Sequence, residues 1–399
     1  MMVLNLVKNN LSQAIQFGSR WGINIVLAFF LAKENFANFS YIYAISNILM
    51  GVIPFGAAVY LLKCDINHLK EKLLDSISLL FFLGMLTVLL YGGLSLFFYN
   101  TEAWNLIFYG ILLGFIYSIN FIFYSYYKCL NKFNIELFSS FFVLVCSIPL
   151  VYLVYLYNDL SIKNIFYYLI AINLFCSIWL FFISGIKFNK VLFNFNNALQ
   201  VFFERKYYGG QEVLNTIINQ FSLILLFYLL VKEDYAVFRT FLILISPFML
   251  FTTATGQIVL LYFKKIINNT TSLKNKVFNI QILTCIIGLI AYGLMWVLHP
   301  IFFDLFEINN KYTIPFLILL TTIVLRLCLS NNEMFLVVVG QQKSRFFIML
   351  ISAILSLIII VLLTPILGML SAVLANLIAN LMLVGGTSYF VFKYLRTTS

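Results

Sequence analysis

KENFANF at residues 33–39 and KEDYAVF at residues 232–238 are two copies of one heptapeptide, 199 positions apart in a chain of 399 residues. Each copy closes one long apolar segment and opens the next. A membrane chain that repeats itself at half length is expected to fold as two similar helical bundles with a path between them.

Composition places the chain in a membrane. It is 63% hydrophobic and 10% charged, whereas soluble domains are about 45–50% apolar and about 25% charged. Too little polar surface is present to coat a water-soluble globule. A span needs about 20 mostly apolar residues, and the sequence holds twelve such stretches: 11–32, 39–62, 74–98, 104–127, 135–157, 164–186, 211–231, 238–262, 277–300, 312–338, 346–365 and 369–392. Helices are the default, because backbone polar groups in lipid must bond within their own segment. The expected fold is therefore an all-α integral membrane protein with about 12 transmembrane helices in two six-helix bundles around a central cavity. The expected domains are 1–187, a cytoplasmic linker at 188–210, and 211–399. No small-residue cleavage pattern follows MMVLNLVKNN, so the first helix is expected to be retained.

An even number of spans puts both termini on one side. Of the 25 Lys and Arg residues, 18 fall on that side, five on the other, and two, Arg20 and Arg326, lie inside spans. The positive-inside rule makes the termini and the 188–210 segment cytoplasmic. The net charge of +11 is thus a topology signal rather than a footprint of nucleic-acid binding. The Tyr124, Tyr126 and Tyr127 cluster, near a span end, reads as interfacial anchoring to lipid.

The 199-residue offset also aligns polar residues. Gln13 falls on Glu212, Gln16 on Asn215 and Arg20 on Asn219. Each set steps by three and then four residues and so lies on one helical face; in the first span the stripe continues to Asn24. Polar groups are costly in lipid, so such stripes face protein or a water-filled cavity. Helix–helix adhesion explains many Gln, Asn and Ser residues in membrane helices, but it has no need of a permanent cation. Arg20 is about ten residues from either end of its span. Arg326 lies on a face with Thr322, Ser330 and Glu333, where it either pairs with Glu333 or faces a ligand. Arg239 opens the eighth span, from which it either looks into the cavity or reaches the interface. Guanidinium is the preferred partner of phosphate and carboxylate, so arginines in a cavity point to an anionic substrate. Glu212 and Glu333 are the candidates for a proton- or sodium-coupling site. Because the second half has Asn219 where the first has Arg20, the strongest anion contact is expected in span one.

Other chemistries find little here. The six cysteines show no paired spacing, and His68 and His299 lack neighbouring ligands, so neither a disulfide framework nor a metal site is expected. No P-loop motif occurs, no nucleophile–base pair stands out, and no cofactor is implied.

The whole chain resembles the O-antigen flippases called Wzx, in the polysaccharide-export branch of the multidrug/oligosaccharidyl-lipid/polysaccharide exporter superfamily. The resemblance rests on twelve spans in a 6+6 arrangement and on the first hairpin, with its polar-striped helix. There Glu34, Phe36, Ala37, Phe39 and Tyr41 fit the family's loop pattern, with Ala37 where the family usually has Gly. The Gly340–Gln341–Gln342–Lys343 turn also resembles the family's short cytoplasmic turn. The resemblance implies a V-shaped fold with alternating access in the bacterial inner membrane. It implies a cargo of undecaprenyl-diphosphate-linked oligosaccharide moved from the cytoplasmic to the periplasmic leaflet, driven by an ion gradient. It implies Arg20 as first contact for the diphosphate, with Arg326 and Arg239 as further contacts. The polymerase and chain-length regulator of the same pathway are the implied protein partners. A cation-coupled multidrug antiporter of the same superfamily is the nearest alternative, and an O-antigen polymerase a more distant one, since every outer loop is short.

Overall fold

The computed structural model describes residues 2–63, 66–98, 102–157, 161–186, 195–267 and 270–398, and every regular element among them is helical. The helices are α1 (Met2–Phe30), α2 (Lys33–Val52), α3 (Ala57–Lys63), α4 (Leu69–Phe98), α5 (Glu102–Cys129), α6 (Phe133–Leu156), α7 (Ile162–Ser184), α8 (Phe195–Thr216), α9 (Ser222–Leu229), α10 (Lys232–Ile266), α11 (Thr270–Leu305), α12 (Thr313–Val338), α13 (Gln342–Leu367) and α14 (Met369–Thr398). A π-helical turn, Ile217–Phe221, joins α8 to α9. The pair α2–α3 fills one expected span and α8–α9 fills another, so each of the twelve expected spans falls on helix. Among the described residues, nine segments are long and apolar enough to cross a bilayer by length and composition. The other three expected spans, 11–32, 39–62 and 238–262, fall on α1, α2–α3 and α10.

Both copies of the repeated heptapeptide start a helix in the same register. Lys33 opens α2 and Lys232 opens α10, while α1 and α9 end at Phe30 and Leu229, again 199 apart. The two turns match bond for bond. Leu31 N donates to Leu27 O at 3.0 Å and Leu230 N to Leu226 O at 2.9 Å; Phe36 N donates to Ala32 O at 2.9 Å and Tyr235 N to Val231 O at 3.0 Å. Their aromatic and small residues are buried, Phe36, Ala37 and Phe39 in one copy and Tyr235, Ala236 and Phe238 in the other.

The halves diverge after this turn. The chain breaks at Ile53–Gly56, where Pro54 cannot donate to a helix and its ring crowds the preceding turn; Phe55 and Gly56 take φ of 43° and 74°. α10 runs through Pro247 as one helix. GAAVYLLK at 56–63 thus resembles GQIVLLYFK at 256–264 in sequence, with a helix break before the first stretch only.

By their internal contacts the residues form two compact units, Met1–Ile224 and Leu225–Ser399. In the first, α5 is central and packs on α2, α4 and α7, while α1 lies along α6. Gly110 and Gly114 allow this: a Cβ on Gly110 would stand 2.7 Å from the Ile42 carbonyl oxygen, and one on Gly114 2.8 Å from that of Ser46. Small residues at such crossings let membrane helices approach backbone to backbone. In the second unit α12 is central and packs on α10, α11 and α14. Each unit thus centres on the fourth span of its own half. Large apolar side chains on α4 (Leu89, Leu90), α11 (Ile290, Val297) and α13 (Leu362, Ile366) remain exposed, as lipid-facing surfaces do.

The expected linker, 188–210, is helical from Phe195 onward; residues 188–194 lie outside the described part. α8 packs on α2, α3 and α4 of the first unit. Phe202 stacks on Phe55 at 4.4 Å between ring centroids, and Gly209 lies so close to Phe55 that a Cβ there would meet the ring at 2.5 Å. Arg205, fully buried, donates to Ser76 Oγ at 2.6 Å and lies 3.9 Å over the Tyr60 ring. Burial pushes its pKa down to about 10, so it stays charged at neutral pH.

Candidate functional site

The polar stripe of α1 meets the interior of the first unit. Gln16, Ser19 and Arg20 line a cavity of about 30 Å³ together with Tyr43 of α2, Tyr117, Asn120 and Tyr124 of α5, Ser140 of α6 and Asn173 of α7. Gln16 and Arg20 share a face because four residues make about one turn. The Arg20 guanidinium sits 4.3 Å over the centroid of the Tyr117 ring and donates from Nη1 to Met50 Sδ at 3.3 Å. Both are weak, uncharged partners. Arg20 makes no ion pair among the described residues, and no carboxylate is among those lining the cavity. The Gln16 Nε2 group is buried without a hydrogen-bond partner.

The walls are held by neutral polar bonds. Ser177 Oγ donates to Asn120 Oδ1 at 2.7 Å, and Asn120 Nδ2 donates to the Asn173 carbonyl at 3.2 Å, joining α5 to α7. Tyr124 and Ser139 exchange a hydroxyl bond of 2.7 Å, joining α5 to α6. The interfacial reading of the tyrosine cluster is corrected here: Tyr124, Tyr126 and Tyr127 are 8%, 2% and 1% exposed, and Tyr127 donates to the Leu180 carbonyl at 2.8 Å. They belong to the interior. The signal was present in the sequence, because Tyr117, Asn120 and Tyr124 step by three and four and so form a stripe of their own.

The other expected site residues take varied places. Asn24 is buried next to the cavity, its Nδ2 bonded to the Arg20 carbonyl at 2.7 Å and its Oδ1 without a partner. Gln13 lies on α1, but its side chain is outside the described part. Glu212, Asn215 and Asn219 fall in the first unit, on α8 and the π turn. Glu212 Oε2 accepts from the Gly56 backbone N–H at 2.7 Å, bridging α8 to the break before α3. Asn219 donates to both the carbonyl and the side-chain oxygen of Asn215, at 2.8 and 2.9 Å. The two stripes that the repeat aligns thus do different work.

Arg239 and Arg326 belong to the second unit. Arg239 is 8% exposed, one turn beyond the buried Tyr235. Arg326 lies on α12 and feels the charge of Glu333 at longer range. Glu333 itself pairs with Arg345 at 3.1 Å. Around them α12 is knit to its neighbours by amide–hydroxyl bonds. Asn331 donates to Thr284 of α11 at 2.6 Å and Asn332 to Ser388 of α14 at 2.8 Å, while Ser330 bonds the Thr252 carbonyl of α10 at 2.9 Å. One buried acid went unassigned in the sequence: Glu136 at the start of α6, 2% exposed, paired with Lys128 at 2.9 Å. Among the described residues no group of His, Cys, Asp and Glu is arranged to hold a metal.

No protein-family model matches the sequence, and no curated protein matches it. The fold does match. An inward-facing multidrug-resistance transporter of the MATE family, in the MOP (multidrug/oligosaccharidyl-lipid/polysaccharide) superfamily, superposes with a TM-score of 0.69 at 14% identity over 99% of both chains. A MOP superfamily transporter from Pyrococcus furiosus gives 0.65 at 13% identity over 98% of this chain and 96% of that one. A eukaryotic MATE transporter gives 0.58 at 12% identity over 99% and 95%. The chain is a multi-pass, all-helical membrane protein with the fold of the MOP superfamily transporters.

Proposed function

We propose that the chain is a transporter of an anionic, lipid-linked cargo, an undecaprenyl-diphosphate-linked oligosaccharide, which it moves from the cytoplasmic to the periplasmic leaflet of a bacterial inner membrane. Both termini lie on the cytoplasmic side in this reading, by the distribution of Lys and Arg. The observation that carries it is Arg20: a guanidinium inside the membrane-spanning part of the first unit, beside a polar cavity whose described lining has no acid. A permanent cation in that setting is expensive and is matched by phosphate oxygens. The cavity of about 30 Å³ holds about two waters, less than a diphosphate needs, so its walls have to shift for Arg20 to meet one there. In this reading Gln13, Gln16, Asn24, Asn215 and Asn219 offer polar contacts to the sugars, and Arg326 and Arg239 offer further charge. Coupling to an ion gradient falls to Glu212 or Glu333.

The MATE likeness favours a second reading, a cation-coupled multidrug antiporter. For the Pyrococcus furiosus transporter of similar fold, a binding pocket of reverse polarity suggests a different function, so the MATE likeness does not by itself select the multidrug reading. A polymerase draws no support from the fold.

The test is complementation of a flippase-deletion strain. The native chain should clear lipid-linked single repeat units from the cytoplasmic leaflet. Arg20→Ala should insert normally and fail, with Arg20→Lys retaining partial function because it keeps the charge but loses the planar fork. Full activity of an expressed Arg20→Ala protein, or drug efflux without any effect on lipid-linked sugar, would overturn the proposal.

A further inference from the structure

We infer that the cavity between Gln16, Arg20 and Tyr117 is a binding site for a small monovalent anion of chloride size. Three independent features meet there. The first is charge. Arg20 is a fixed cation on a membrane-spanning helix, and its contacts are an aromatic face and a thioether. Two acids of the same unit are engaged elsewhere, Glu136 with Lys128 and Glu212 with the Gly56 N–H. The second is an unused donor: Gln16 Nε2, one turn before Arg20, is buried and has no partner, although a buried donor is ordinarily satisfied. The third is size. About 30 Å³ admits a monatomic halide or two waters and excludes a phosphate tetrahedron with its ester substituents.

A guanidinium N–H, an amide N–H and one hydroxyl of the mutually bonded Tyr43–Tyr117 pair are the donors there, without a competing carboxylate; Ser140 on the rim already donates to the Glu136 carbonyl at 2.6 Å. An anion there would satisfy Gln16 and offset the Arg20 charge together, which water cannot do. The site does not depend on the identity of the cargo. If the cargo is the lipid diphosphate, a resident halide is the counter-ion that the phosphate displaces when the cavity walls shift.

The experiment uses the full-length protein in detergent. Thermal unfolding is followed while sodium chloride or sodium bromide replaces sodium gluconate at constant ionic strength, and crystals grown in bromide are examined for anomalous scattering. The native chain should be stabilised by chloride and bromide in a saturable way, with a bromide peak in contact with Arg20 and Gln16. Gln16→Leu, which keeps the cation, should weaken the apparent affinity by about tenfold or more, the effect of losing one hydrogen bond to a charged ligand. Arg20→Gln should abolish the response; if that variant does not fold, Gln16→Leu decides. Unfolding that is indifferent to the anion, an undiminished response in Gln16→Leu, or bromide bound elsewhere overturns the inference. Halide binding with no clearance of lipid-linked sugar overturns only the cargo proposal, and the converse result overturns only this site.

Discussion

Glu212→Ala and Glu212→Gln separate two roles that one carboxylate can play. In the structure Glu212 reaches from α8 to the helix break of the second span and accepts from the Gly56 N–H at 2.7 Å. That N–H lies between α2 and α3, where Pro54 ends one helix and the next has not yet formed. Alanine leaves it without its partner, at a cost of about 2 kcal/mol, midway in the range for a bond to a charged group. Glutamine keeps an oxygen at the same reach and loses only the charge assistance, roughly half the strength of such a bond, so its cost is about 1 kcal/mol or less. For a unit of this size each kcal/mol shifts the melting temperature by about 2–4 °C. Glu212→Ala should therefore melt about 4–8 °C below the native chain, and Glu212→Gln no more than about 4 °C below it. Tryptophan fluorescence of the detergent-solubilised protein during a thermal ramp reads the difference. Equal destabilisation by the two substitutions, or an Ala variant that melts with the native chain, would refute the capping role. Where the glutamine variant keeps its fold, a loss of gradient-driven transport belongs to the proton or sodium ion that the carboxylate can bind and the amide cannot.

Other substitutions test the packing and the polar interior. Gly110→Ala forces a Cβ to within 2.7 Å of a backbone carbonyl and should destabilise by about 1–3 kcal/mol. Gly18→Ala on α1, where a Cβ meets nothing within 4 Å, should be neutral or slightly stabilising; both are read by thermal unfolding. Glu333→Gln combined with Arg345→Met in a double-mutant cycle should show a coupling of about 0.5–3 kcal/mol, and strict additivity would mean that the 3.1 Å pair contributes nothing. Tyr124→Phe should lose about 1 kcal/mol with its bond to Ser139; if the tyrosine were a lipid-interface anchor, the loss would depend on the lipid instead.

The sequence disclosed the architecture because lipid imposes strict rules on it. Twelve apolar stretches had to become helices, and the 199-residue repeat had to become two similar turns, which it did to the level of individual hydrogen bonds. The interior was less legible. Arg20 stood out because a charge in an apolar span is rare, but Tyr117, Asn120, Tyr124 and Asn173 did not, since neutral polar residues are ordinary helix glue and tyrosine is ordinary at an interface. The role of α8 was hidden for a different reason. Its sequence, FNNALQVFFERKYYGGQEV, reads as a polar connection, yet Phe202, Arg205 and Gly209 each fit a feature made by a distant segment: Phe55, Ser76 with Tyr60, and again Phe55. Only the folded chain brings those partners near. The repeat also misled where the backbone changed, because the alignment of Glu212 with Gln13 carries no information about the Gly56 N–H that Glu212 meets.

The duplication preserved the scaffold and let the chemistry inside it diverge. In the second unit the cation of α12, Arg326, shares its helix with an acid, Glu333, which is itself paired with Arg345, and the amides of Asn331 and Asn332 are tied to hydroxyls on the adjoining helices. In the first unit the acids Glu136 and Glu212 are bound to Lys128 and to a backbone N–H, and neither forms an ion pair with Arg20. Packing alone does not explain that residue: a long uncharged side chain such as methionine would pack beside Met50 and Tyr117 without the penalty of a membrane-embedded charge. A cation that the fold does not need, next to a donor that the fold leaves unused, marks the place where something from outside the chain completes the structure.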